Sequence, residues 1–202
     1  MLIKVCGLSK EEQFLELDET QKVDFVGMIF HEKSPRNFTA DLCPQLKKAK
    51  KVGVFLNKDL PFVLEKIKKH QLEIIQLHGQ ETVDYCLKLN GFVTVIKVFN
   101  VDEEFDFSST DKYLEAADYF LFDTKSKMGG GSGKKFDWSI LNKYTSNLPF
   151  ILSGGIGEDD LDAIINFSHP QFVGIDLNSR FEIEPGIKNI EKIKNFISNV
   201  SK

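Results

Sequence analysis

Asp123 closes an apolar run, Tyr119 to Phe122, and is followed by a stretch with four glycines among Gly129 to Gly133 and basic residues on both sides. A buried strand that delivers an acid to its tip beneath a glycine loop is a layout for proton transfer in an α/β active site. The plainer reading is a solvated loop, with Asp137 capping the next helix and Asp123 paired to Lys125. Other strand segments carry comparable residues. Cys6 ends the first apolar run beside Gly7, with Lys4 two residues back on the same face. Gln76 and His78 share a face of the fourth run, Lys97 lies within the fifth, and Asp176 lies near the end of the eighth. Unpaired buried charge is costly, so Lys4, Lys97, Asp123 and Asp176 should pair with one another or with a ligand.

Eight strand segments must position these groups: about 2–5, 25–30, 52–56, 73–77, 93–99, 119–122, 150–152 and 172–177. Helical patterns separate them. A capping box, Ser9 with Glu12, opens the first helix, and Thr39 caps a second that runs to about Lys50. Asp59-Leu60-Pro61 opens the third. Further helices are expected over about 81–89, 111–117, 138–144, 159–167 and 189–200. Eight strand–helix units of about 25 residues imply a parallel sheet. Without a linker or a low-complexity stretch, the expectation is an α/β fold of one domain, a (β/α)8 TIM barrel spanning residues 1–202. A doubly wound open sheet would carry a dinucleotide fingerprint after its first strand, and Cys6-Gly7-Leu8-Ser9 is not one.

In a barrel the strand tips share the catalytic end. Gly154 and Gly155 follow the seventh strand, and Asn178 and Ser179 follow the eighth. Small polar loops at these places suit a phosphate, because backbone N–H groups can approach it closely. Asp123 is a candidate acid or base. Cys6 is a candidate base, with Lys4 and Arg36 expected to lower its pKa.

The chain has 202 residues and a net charge of −4, with lysines dispersed rather than gathered on a basic face, which argues against nucleic acid as a partner. Three widely spaced cysteines lack metal or redox spacing and fit a reduced, cytoplasmic setting. Cys43 and Cys86 read as packing residues on helices. Isolated histidines give no metal site, and no run is long enough to span a membrane. Phe is frequent, at 18 against 4 Tyr and 1 Trp, so an aromatic core is expected. Phe105, Phe107 and Phe181 either form a dimer patch or pack inward, leaving monomer and homodimer open.

The ordered motifs resemble the phosphoribosylanthranilate isomerase family of tryptophan biosynthesis along the whole chain. Lys4-Val5-Cys6-Gly7, the GMIFHEKSPRN segment from Gly27 to Asn37, Val52-Gly53-Val54-Phe55 and Gln76-Leu77-His78-Gly79 come first. Phe122-Asp123-Thr124-Lys125 with Gly130-Gly131-Ser132-Gly133-Lys134 and Phe136-Asp137-Trp138 follow, then Leu152-Ser153-Gly154-Gly155 and Pro185-Gly186-Ile187-Lys188. The resemblance implies an Amadori rearrangement of N-(5-phosphoribosyl)anthranilate without a cofactor. It implies Asp123 as general acid, Cys6 as general base, Arg36 at the anthranilate end and the last two loops at the phosphate. Lys4, His78 and Asp176 are expected to line the substrate site. One departure stands out: the family commonly has Ser-Ser-Gly-Val-Glu after strand eight, and this chain has Asn178-Ser179-Arg180-Phe181-Glu182. Arg180 is expected either to contact the phosphate or to point to solvent. The alternatives are another phosphate-binding-barrel enzyme, such as a phosphosugar epimerase or a thiamin-phosphate synthase, and a non-catalytic phosphosugar-binding barrel.

Overall fold

The computed structural model describes residues 1–124 and 137–200. Its eight strands, β1 (Leu2–Cys6), β2 (Phe25–Ile29), β3 (Lys50–Phe55), β4 (Ile74–Leu77), β5 (Thr94–Val101), β6 (Tyr119–Thr124), β7 (Phe150–Leu152) and β8 (Phe172–Leu177), close into a barrel in chain order. All eight pairings are parallel, and β8 closes on β1. Period-two alternation sorts the apolar residues into two cores. Cys6, Phe25, Val52, Val54, Ile74, Ile96, Val98, Leu121 and Ile151 fill the lumen. The outer core is rich in rings, as the composition predicts. Phe99, Phe107, Phe120, Phe122, Tyr144 and Phe150 form one continuous aromatic cluster outside β5–β7. Phe107 and Phe181 are buried and Phe105 packs against the core, so these rings turn inward.

The outer layer is less helical than its pattern suggests. The α-helices are α1 (Glu11–Glu19), α2 (Leu60–His70), α3 (Val83–Leu87), α4 (Leu161–Asn166) and α5 (Ile190–Val200). The segments Phe107–Tyr113 and Trp138–Lys143 are 3₁₀ turns instead. The helix expected from Thr39 does not form, and Cys43 is buried in irregular chain. Pro44 would break that helix from inside, and the amides of Lys47, Lys48 and Ala49 all donate to the Asp18 carboxylate at the end of α1. Although burial alone would push it up, these amides hold Asp18 below the usual carboxylate range. Nor does Ser9 cap α1; its hydroxyl donates to the carbonyl of Gly186 at 2.8 Å. A short antiparallel hairpin, β9 (Glu182–Glu184) and β10 (Ile187–Lys188), follows β8. No described helix is long and apolar enough to cross a membrane.

Candidate active site

At the C-terminal end of the strands, β1, β4, β6 and β8 each deliver a functional group to the lumen. Lys4 and Asp176 occupy register-paired positions, and their charges meet at 2.9 Å. Desolvation opposes the Lys4 charge, but Asp176 and then Cys6 outweigh it and raise its pKa. Cys6 is the last residue of β1 and is 3% exposed. Gly27 on β2 leaves room for the sulfur: a Cβ there would lie 2.9 Å from Sγ. The expectation of a lowered thiol pKa is corrected. Burial pushes the Cys6 thiol up, Lys4 opposes this, and Asp176 adds to the rise.

Asp123 lies near the end of β6 with its carboxyl largely buried. Burial, then the nearby Asp176, push its carboxyl up to about 6, against the Thr124 amide and Lys4. The Thr124 amide donates to its Oδ1 at 2.8 Å. Across β5, His78 Nε2 stands 3.5 Å from Asp123 Oδ2. The possible pairing of Asp123 with Lys125, and the glycine loop itself, lie outside the described residues.

Lys97 does not join the lumen groups. It shares the outer face of β5 with Val95, Phe99 and Val101 and pairs with Glu81 at 3.1 Å.

Arg36 sits in the loop after β2 and makes a two-pronged pair with Glu182: Nε lies 2.9 and 3.0 Å from the two carboxylate oxygens, and Nη2 2.7 Å from Oε2. Glu182 also accepts from Lys188 Nζ at 2.6 Å and from the Gly186 amide at 3.0 Å. Lys188 in turn donates to Asn178 Oδ1 at 2.7 Å. Two cations against one carboxylate leave an excess of positive charge beside the mouth. Sequence reasoning quoted Glu182 and Lys188 only within motifs. The local sign of the hairpin that brings them under Arg36 is its Pro185-Gly186 turn, with Gly186 at a positive φ of 88°.

The loops after β7 and β8 lie side by side. Gly154 and Gly155 have positive φ, 95° and 72°. A Cβ at Gly154 would meet Thr124 Oγ1 at 2.2 Å, so the loop packs directly on the end of β6. Ser153 Oγ lies 3.4 Å from Asp176 Oδ2. Ser179 starts a 3₁₀ turn after Asn178. Arg180 is exposed, crosses Gly157 and pairs with Asp159 at 3.1 Å, which ties the two loops together.

Family comparison decides what the arrangement belongs to. A model of N-(5'-phosphoribosyl)anthranilate (PRA) isomerase matches residues 3–199. The chain belongs to the PRA isomerase family. The PRA isomerase of Parabacteroides distasonis is 44% identical over 99% of this chain and 93% of its own length. The crystal structure of phosphoribosyl anthranilate isomerase from Thermus thermophilus is similar at a TM-score of 0.85 and 25% identity, covering 100% of this chain and 98% of that one. A phosphoribosyl anthranilate isomerase in complex with reduced 1-(o-carboxyphenylamino)-1-deoxyribulose 5-phosphate is similar at 0.79 and 29% identity, with 100% and 98% covered. The TIM-barrel reading and the family resemblance both stand.

Proposed function

We propose that this chain, acting as one barrel domain in the cytoplasm, converts N-(5'-phosphoribosyl)anthranilate to 1-(2-carboxyphenylamino)-1-deoxyribulose 5-phosphate in tryptophan biosynthesis, with Asp123 and Cys6 moving the protons. The chemistry asks for an acid first. The furanose C–O bond breaks as the ring oxygen takes a proton from Asp123, while the anilino nitrogen lone pair pushes in to form a Schiff base. The proton on the second ribose carbon then leaves to the Cys6 thiolate. The resulting enolamine tautomerises to the ketone, so the substrate's own nitrogen serves as electron sink and no cofactor enters.

The observation that carries this reading is the carboxyl of Asp123, kept near pKa 6 by burial and by Asp176 at the mouth of the lumen. An ordinary carboxyl is protonated about one part in a thousand at pH 7; at about 6 the fraction is nearer one in ten. Lys4 and Asp176, paired at 2.9 Å, act on the charge of both the acid and the sulfur. Arg36, with Glu182 behind it, offers its remaining N–H groups to the anthranilate carboxylate. Gly154, Gly155, Asn178 and Ser179 cradle the phosphate. Mixing the protein with the fluorescent substrate tests the activity: fluorescence should fall on mixing and should persist with Asp123→Asn or Cys6→Ser. A non-catalytic phosphosugar-binding barrel would bind without any fluorescence loss.

A further inference from the structure

Lys97 lies on the outer face of β5, yet it is 2% exposed and its ammonium is fully engaged. Nζ donates to the carbonyls of Leu77 at 3.1 Å and Gly79 at 2.7 Å, and lies 3.1 Å from Glu81 Oε2. Glu81 accepts from the amides of Asn57 and Gly79, each at 2.9 Å. The Tyr113 hydroxyl donates to the Glu81 carbonyl at 2.9 Å. Both carbonyls that flank His78 therefore end on one ammonium. A peptide rotation that swung the imidazole out of the lumen would break both bonds and leave a buried charge short of partners.

We propose that Lys97, ion-paired with Glu81, is a positioning residue for the isomerisation: it fixes the imidazole of His78 beside the carboxyl of Asp123. This rests on the reading of Asp123 as the acid. An imidazolium 3.5 Å away would hold Asp123 ionised and remove the acid. Burial, then Lys97 and Lys4, push His78 down to about 4, while Glu81 and an Asn100 hydrogen bond act the other way. Asp123 faces the ring from β6, and Asp176 and Lys4 face Asp123 from β8 and β1. Lys97 thus anchors the peptide, and its charge adds to the burial that keeps the ring neutral.

The test follows the His78 imidazole by NMR on the full chain, alongside the pH profile of kcat, in Lys97→Met and Lys97→Arg. In Lys97→Met the proton affinity of His78 should rise at least tenfold, and the titration assigned to Asp123 should move to lower pH. Near pH 5, where such a ring is about half protonated, kcat should fall with KM nearly unchanged, while at pH 7 the ring stays neutral and kcat should change little. Lys97→Arg should recover most of each. Adding His78→Ala to Lys97→Met should return the Asp123 titration to its place in His78→Ala alone. An unchanged His78 titration in folded Lys97→Met, or parallel losses in kcat and KM without movement along pH, would overturn the proposal. Should Lys97→Met not fold, Glu81→Gln decides: His78 should lose proton affinity, and a gain would refute the assignment. Asp123→Asn reports separately, since activity kept there would remove the acid while leaving the His78 titration readable.

Discussion

Lys4 and Asp176 are partners twice over: their Cα positions pair across β1 and β8, and their charges meet at 2.9 Å inside the barrel. Asp176 also lifts the Asp123 carboxyl, while Lys4 lowers it. Asp176→Asn removes the lift and frees the full Lys4 charge, so the Asp123 titration should drop below about 6 and turnover at neutral pH should fall with it. The variant also leaves a buried ammonium unpaired, at a cost of about 3–5 kcal/mol. Urea unfolding and the pH profile of kcat check both.

Asp123→Asn should lower kcat about 10²–10⁴-fold with KM little changed. It should also stabilise the fold at high pH. A carboxyl whose folded pKa is raised contributes stability below its ordinary value and loses it as pH rises through about 6. Above that pH the ionised parent carries a penalty of up to about 3 kcal/mol, which the amide lacks. Melting curves should separate the two proteins at pH 8 and bring them together below about pH 4. Coincident curves at pH 8 would mean that the carboxyl is not raised.

The raised thiol of Cys6 has a kinetic consequence. With Asp123 proposed as acid and Cys6 as base, the productive form would need a carboxylic acid and a thiolate together, the opposite of the resting pair. Between the two pKa values each step in pH makes one partner commoner and the other rarer by the same factor, so its abundance stays level. Below about 6 it falls as pH falls, because Asp123 is already protonated and thiolate is still being lost. We expect kcat/KM to climb tenfold per unit up to about pH 6 and then to plateau. A profile that declines from pH 6 upward would contradict a thiolate base. Cys6→Ser should cost about 10²–10⁴ in turnover.

Arg36→Met should raise KM about 10–100-fold and leave kcat within a few-fold, the size of one charged hydrogen-bonded pair. Glu182→Gln should reproduce part of this, because Glu182 holds the inner edge of the guanidinium. Steady-state kinetics with KM unmoved in both variants would place the anthranilate elsewhere.

Strand parity was readable because apolar runs are local. It places Lys4, Cys6, His78, Asp123 and Asp176 around one lumen. Lys97 lay equally deep in its run, but one residue of register sends it to the outer face, where its partner Glu81 lies in the loop beyond β4. The thiol of Cys6 was misjudged because cations can be counted along a chain, whereas desolvation depends on what closes over the sulfur. Ser9 and the segment after Thr39 failed as helix signals, the latter partly because Pro44 interrupts it from inside. Their polar partners, Gly186 and Asp18, are supplied by distant parts of the chain. Arg36 was legible as a cation near the mouth, but not as one clamped by Glu182 from a hairpin after β8.

The Asp18 carboxylate that gathers the amides of Lys47, Lys48 and Ala49 makes the first two strand–loop units one inseparable piece. A barrel assembled from interchangeable quarters could be cut, shuffled or duplicated between β1–α1 and β2. Here a piece exchanged without its acid would strip the entry to β3 of its anchor, so a recombined chain should keep a carboxylate at position 18 wherever it keeps the 47–49 turn.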